Sequence, residues 1–318
     1  MAIETNNQLS LHQARQSQLE NSSNYIEKFL ASVDVRSDYG YVCCPTCGRD
    51  AGEPLFIKRQ GRYSYCPSCD HIYLANPLNA DKLFDFYAGY PTSSLEWHQN
   101  ESEFYCRIYL RGLSMLQAQC ACQRLLDIGC SSGLFLSMAA KLKINSFGIE
   151  PNKKEAEFAR QNGINILGSS LADLSPSDFF DCITLWDVLE HIPEPVAYLQ
   201  ALHGHLNTKG CIFVQIPTSD SLAARVMRGS CNMFDGIEHL TLFSAHSLTL
   251  AFEAAGYELA SLNTVISESH ALANFLSYQI DPYLSQPERQ FTAAFLDPEA
   301  IESCGLGYKI QAVYRRCQ

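Results

Sequence analysis

LLDIGCSSGLFLSMAAKLKINSFGIE, running from Leu125 to Glu150, is the stretch that decides the fold. It opens on an apolar run ending at Asp127, passes through a turn carrying Gly129 and Gly133, and continues with apolar residues at helical spacing. A second apolar run then ends on the carboxylate of Glu150. The order predicts strand, turn, helix and strand, which is half of a nucleotide-binding βαβ unit. Glycines at 129 and 133 are expected to leave space for a ligand, because a Cβ there would project into it. Glu150, at a strand tip, is able to accept hydrogen bonds from two vicinal ribose hydroxyls.

The residues between the glycines separate three ligand classes. A GxGxxG dinucleotide site needs glycine where this chain has Ser131 and Leu134, so close approach of a pyrophosphate is not encoded. Gly129-Cys130-Ser131-Ser132-Gly133 also satisfies the GxSxG nucleophile elbow, with Ser131 as nucleophile. That motif needs several strands before it, whereas the upstream chain is cysteine-rich and then helical, with no HGGG-like oxyanion segment. What remains is DxGxxxG followed by a strand-terminal acid, which resembles motif I and the acidic motif of class I S-adenosylmethionine-dependent methyltransferases. The resemblance implies an α/β, Rossmann-like sheet of seven strands with the last antiparallel. It also implies S-adenosyl-L-methionine as cofactor, held by Asp127, Gly129, Ser131, Gly133 and Glu150. Members of that family usually carry glycine where Ser131 stands.

Composition narrows the partners. With 318 residues, 47% hydrophobic and 18% charged, the chain has apolar material for one large core and a small accessory module. A net charge of −11 argues against affinity drawn from nonspecific attraction to nucleic acid. No run of eighteen apolar residues occurs, and the opening MAIETNNQLSLHQARQ lacks both a basic n-region and an apolar h-region. The expectation is a soluble cytoplasmic protein with no membrane partner.

Nine of the fourteen cysteines are scattered singly through apolar stretches, as reduced, buried thiols are. The others cluster. Cys44-Pro-Thr-Cys47 and Cys66-Pro-Ser-Cys69 are two CPxC knuckles separated by eighteen residues, and Cys43 is a spare neighbour. Four thiolates on paired knuckles suit a closed tetrahedral Zn2+ site that is structural, since no position is left for water or substrate. The following Asp70-His71-Ile72-Tyr73-Leu74-Ala75-Asn76-Pro77 resembles the "CGLVYLNP" strand in the N-terminal zinc ribbon of a bacterial methyltransferase group common in sugar and polysaccharide pathways, with Asp70 in place of glycine.

Two later segments carry further resemblance. Phe180-Asp181-Cys182-Ile183-Thr184-Leu185-Trp186-Asp187-Val188-Leu189-Glu190-His191-Ile192-Pro193 resembles the family's "FDVITLWDVLEHIPDP" string. It implies that Trp186, Asp187 and Val188 contact the cofactor near its methionine end, while Ser170 and Leu171 meet the adenine. Glu190 and His191 are expected to cap the next helix, with catalysis by His191 as the alternative. Glu238-His239-Leu240-Thr241-Leu242-Phe243-Ser244 resembles the "EHxxYFS" motif of the sugar C-methyltransferase branch, with Gly236 where that branch has tyrosine. Carried over, Glu238 orients His239, and His239 takes the acceptor proton. The alternative is that His239 only packs under the helix that Ser244 caps. Tyr87 and Tyr90 are candidates for the acceptor pocket or for plain core packing.

The chain therefore divides into a polar tail or frayed helix (1–38), a zinc ribbon (39–80), a helical cap (81–120) and a methyltransferase domain (121–318) with a helical insertion near 267–300. The expected activity is methyl transfer to a small-molecule acceptor, such as a nucleotide-linked sugar, at carbon or oxygen. The alternatives are an RNA methyltransferase and a noncatalytic binding protein on a degenerate cofactor fold.

Overall fold

A computed structural model describes residues 16–89, 102–285 and 291–317. The described strands are β1 (Glu53–Lys58), β2 (Gly61–Cys66), β3 (His71–Leu74), β4 (Arg124–Ile128), β5 (Asn145–Ile149), β6 (Asn165–Gly168), β7 (Phe180–Trp186), β8 (Leu206–Pro217), β9 (Thr241–Leu242), β10 (Tyr257–Val265) and β11 (Lys309–Arg316). Two compact units form. One is drawn from Met1–Thr92, Pro217–Leu248 and Asn263–Ile310, the other from Ser93–Ile216, Thr249–Leu262 and Gln311–Gln318.

Seven strands make one sheet in the order β6-β5-β4-β7-β8-β11-β10. It is mixed, with antiparallel final strands. β4 pairs in parallel with both β5 and β7, so chain order reverses between β4 and β7. Open α/β sheets bind ligands outside the carboxyl ends of the strands at such a switch point. β4 and β7 are buried along almost their whole length, as central strands covered on both faces must be, and their sequences are accordingly mostly apolar. The Asn207-Thr208-Lys209-Gly210 stretch, which reads as a turn, lies inside β8 instead. Register explains it: Phe180 faces Leu206 and Cys182 faces Cys211, so the polar residues are absorbed as an exposed bulge.

In the other unit the knuckle strands form a four-stranded sheet in the order β1-β2-β3-β9. Its last strand comes from far along the chain, with Ile72 opposite Leu242 and Tyr73 opposite Thr241. The segment expected to be a tail or frayed helix contains a helix, Gln16–Ala31, that is packed by its second half. Ile26 and Leu30 are buried with Leu78, Phe86 and Ile237, because Tyr25, Ile26, Phe29 and Leu30 fall on one helical face. Among the described residues no helix is long and apolar enough to cross a membrane.

Candidate active site

The turn after β4 is fixed to β5 by its own backbone. The amides of Gly129 and Cys130 both donate to the Ile149 carbonyl, at 2.9 and 3.1 Å. Gly129 and Gly133 have left-handed backbones, with φ of +71° and +78°. Their hydrogens do not simply leave room for a ligand, as the sequence suggested. A Cβ at Gly129 would meet Val188 Cγ2 at 2.7 Å, and one at Gly133 would meet Ile164 Cγ1 at 2.6 Å. Both are glycine because of backbone conformation and packing. Ser131 is also left-handed (φ +51°), which accounts for the usual glycine there. The strain, about 1 kcal/mol relative to glycine, is opposed by the bond its amide gives Glu150 Oε2 at 2.7 Å.

Glu150 is buried at the tip of β5, and its second oxygen accepts the Asn152 amide at 2.7 Å. Each oxygen keeps a further lone pair for a ligand hydroxyl. Burial pushes the Glu150 carboxyl up to about 7, against the pull of those two amides. Asp127 is also buried and accepts the Thr184 hydroxyl at 2.6 Å. Burial, offset by Thr184 and reinforced by the Glu150 charge, lifts it to about 8.

At the end of β7, Asp187 adopts a left-handed backbone (φ +54°) that aspartate tolerates. Its amide donates to the Gln215 carbonyl at 2.8 Å, and Gln215 Nε2 donates to its Oδ2 at 3.0 Å. Gln215 in turn accepts from Gln311 Nε2 at 2.9 Å. Trp186 is largely interior, its ring against Tyr109, Phe135 and Phe213 at centroid distances of 4.7, 5.1 and 4.3 Å. A Cβ at Gly112 would collide with the Trp186 and Phe213 rings, so the helix Ser102–Gln117 needs that glycine to seat them. Val188 lies over Gly129. Leu171 opens a 3-10 turn capped by Asp173, which accepts the amides of Ser169 and Ser170.

Glu238 and His239 belong to the other unit and lead directly into β9. Asp235 organises this turn. Its Oδ1 accepts the amides of Ile237 and Glu238 at 2.7 and 2.9 Å, and its Oδ2 lies 3.0 Å from His239 Nδ1. The Met233 carbonyl is 2.7 Å from the same nitrogen. A carbonyl only accepts, so the network assigns the proton to Nδ1 and leaves the Nε2 lone pair as the basic site. The carboxylate at Nδ1 is thus Asp235, where the motif resemblance implies Glu238. Burial, then the Asp235 charge, raises the Glu238 carboxyl to about 7, with His239 opposing.

The four knuckle sulfurs, of Cys44, Cys47, Cys66 and Cys69, lie within 4.8 Å of one another. Cys44 and Cys69 are 3.5 Å apart, Cys47 and Cys66 3.7 Å. Tetrahedral bonds of about 2.3 Å to zinc put sulfurs about 3.8 Å apart, so the donor set fits. Gly48 and Asp70, each just past a knuckle, are both left-handed (φ +70° and +56°), which explains how aspartate replaces the usual glycine.

A model of the methyltransferase-domain family matches residues 96–262, more than half of the chain. The chain belongs to that family. The ubiquinone biosynthesis O-methyltransferase of Pseudomonas aeruginosa is 28% identical over 131 residues, 37% of this chain and 56% of that protein. Its counterpart from Paracidovorax citrulli is 27% identical over 115 residues, 33% and 46% of the two chains. The chain thus spans about half the length of these relatives. A solved S-adenosylmethionine-dependent methyltransferase from Archaeoglobus fulgidus aligns over 69% of this chain and 99% of its own, with 17% identity and a TM-score of 0.47.

Within the methyltransferase sheet, Asp127, Gly129, Ser131, Gly133, Glu150, Asp187 and Val188 gather at the carboxyl ends of β4, β5 and β7. Glu190 is buried in a 3-10 turn, Leu189–His191, and the next helix begins at Pro195 with no side-chain cap, so neither Glu190 nor His191 caps it. Ser244 does cap its helix, accepting the Ser247 amide at 3.0 Å. Tyr87 is 43% exposed, with its ring edge-on to buried Phe86 at a centroid distance of 5.6 Å. Tyr90 lies outside the described residues. No sequence motif marks Thr184, Gln215, Gln311 or Asp235 as part of the site. A single polar residue inside an otherwise apolar run, as in CIFVQIP and IQAVY, is the available signal for the two glutamines.

Proposed function

We propose that this methyltransferase moves a methyl group from S-adenosyl-L-methionine to a polar small molecule, with a nucleotide-linked sugar as the leading acceptor class. The observation that carries the reading is Glu150: a buried carboxylate at the carboxyl end of β5, beside β4, aimed by two backbone amides, with acceptor capacity left for two vicinal hydroxyls. Asp127, Ser131, Leu171, Trp186, Asp187 and Val188 would complete the hold on the cofactor. When bound, the sulfonium supplies a methyl carbon already activated for transfer.

The protein's part is then to orient and deprotonate. Holding two reactants in line is worth about 7 to 11 kcal/mol in favourable cases. His239, with Nδ1 committed to Met233 and Asp235, would take the acceptor proton on Nε2, typically worth two to four decades of rate. Glu238, with a carboxyl near neutrality, would bind or shuttle a proton beside it. Zinc on Cys44, Cys47, Cys66 and Cys69 would hold the ribbon sheet, and with it the β9 edge of the His239 segment, without touching the reaction.

The acidic balance, −11 overall, favours a small molecule over RNA. The test is transfer of labelled methyl from S-adenosylmethionine to a panel of nucleotide-linked keto- and hydroxysugars and quinol precursors, with RNA in parallel, and metal analysis on the same sample. Label in a small molecule, lost in His239→Gln, and one zinc per chain are expected. Label in RNA alone, or none under conditions where cofactor binds, overturns the acceptor assignment.

A further inference from the structure

A second group of thiols, apart from the ribbon tetrad, lies in the unit that carries the methyltransferase sheet. Cys120 follows the helix Ser102–Gln117, and its sulfur sits 3.2 Å from that of Cys182 on β7. Cys182 is in register with Cys211 on neighbouring β8, so their side chains share one face of the sheet. Both are fully buried, whereas Cys120 is half-buried and reachable from solvent. Hydrogen bonds from the Cys182 and Cys211 thiols, helped by the Arg315 charge, draw the Cys120 thiol well below its usual range. The same hydrogen bond pushes Cys182 up, so the pair favours a thiolate at 120 beside a protonated thiol at 182. That is the arrangement of an attacking and a resolving cysteine. Neither residue touches the proposed cofactor or acceptor groups, so no step of methyl transfer accounts for them.

We infer that Cys120 and Cys182 form a thiol–disulfide exchange site that reacts with low-molecular-weight disulfides of the glutathione class. The Cys120 thiolate attacks one sulfur of the small disulfide, forming a mixed disulfide and expelling one small thiolate, which takes a proton from solvent. Cys182 then gives up its proton and attacks the Cys120 sulfur, breaking the mixed disulfide and forming the Cys120–Cys182 bond. The second small thiolate leaves with that proton. Two protein thiols are oxidised to one disulfide, and the small disulfide is reduced to two thiols. The cross-link would tie the end of the helix that seats Trp186 to the strand that bears it.

The experiment is incubation of the folded full-length protein with glutathione disulfide, followed by acid quench, alkylation, digestion without reduction and peptide mapping by mass spectrometry. The expected result is a Cys120–Cys182 cross-linked peptide as the principal internal disulfide, with exposed Cys304 and Cys317 carrying at most glutathione adducts. Cys120→Ser, at a half-buried position that leaves the sheet intact, should abolish the cross-link while the adducts at 304 and 317 persist. The inference is overturned if adducts form at 304 and 317 but Cys120 stays reduced. It is equally overturned if Cys120 holds glutathione without passing to Cys182, or if Cys120 joins Cys122 instead. None of these readouts depends on cofactor or acceptor, so the result stands apart from the methyltransferase reading.

Discussion

Tyr63, on the second ribbon strand, accepts the amide hydrogen of Gly236 on its phenol oxygen at 3.0 Å and donates to the His239 carbonyl at 3.4 Å. One buried hydroxyl thus spans the turn that Asp235 organises from inside. Tyr63 is braced by Phe56 and Phe234, with ring centroids at 5.5 and 5.1 Å. The ribbon is therefore the floor on which the candidate base is built, and its fold and the turn's conformation stand together.

Tyr63→Phe removes that hydroxyl and leaves a buried amide unpaired, a penalty of about 1 to 3 kcal/mol. Denaturant titration should show a loss of that size. Turnover should fall about tenfold or more, because Asp235 and Met233 no longer meet His239 in a fixed turn, while cofactor affinity holds. Unchanged turnover in the folded variant would separate the ribbon from the base.

Gly236 stands where the resembling branch has tyrosine, and its surroundings show why this chain differs. Its backbone is left-handed (φ +83°), a Cβ would collide with the Lys58 carbonyl, and Gly61 approaches so closely that its own Cβ would come within 2.7 Å of the Gly236 Cα. Gly236→Tyr should therefore cost at least 1 to 3 kcal/mol, roughly the price of a strained non-glycine position plus displacement of the hairpin. Thermal melting would reveal it; an unchanged melting temperature would mean that this turn accepts a side chain.

Asp187 owes its orientation to Gln215, which is itself held by Gln311. Gln215→Leu keeps the volume but removes a hydrogen bond to a charged group, worth about 1.5 to 3 kcal/mol. If Asp187 binds the cofactor, calorimetry should show affinity about tenfold or more weaker, with turnover at saturation far less affected. The reverse pattern would place Asp187 outside the cofactor site.

Much of this was legible in sequence because it is local. The Leu125–Glu150 stretch and the strand ending at Trp186-Asp187 declare their elements through apolar runs and glycines, and both CPxC knuckles declare their tetrad by spacing. Ser131 and Asp70 looked like departures from pattern, yet each keeps the left-handed backbone that glycine usually supplies. What was not legible is long-range. Asp235 gains its role from a turn shaped by Tyr63, 172 positions earlier in the numbering. Thr241–Leu242 is too short to announce itself as a strand, and only pairing with β3 makes it one.

Burial sets a pH dependence. Asp127 and Glu150 titrate near 8 and 7 in the folded protein, raised from ordinary values of 3.8 and 4.5. Between those limits the folded state binds more protons than the unfolded chain, so their contribution to stability falls as pH rises from about 4 to 8. If the cofactor binds as proposed, ribose hydroxyls donating to Glu150 and a cationic sulfur nearby would favour the charged carboxylates and expel protons. Cofactor affinity should accordingly increase from pH 6 to 8 and level off above. Calorimetry in buffers of different ionisation enthalpy should detect the released protons, and a heat independent of buffer would show that neither acid meets the ligand.

The proposed role of Glu150 as the ribose ligand is tested most directly by calorimetric titration of S-adenosylhomocysteine into the wild type and Glu150→Ala. Two charge-assisted hydrogen bonds together amount to about 3 kcal/mol or more, so the variant should bind at least about 100-fold more weakly while its metal content and circular dichroism match the wild type. Equal affinity in the two proteins would contradict the account.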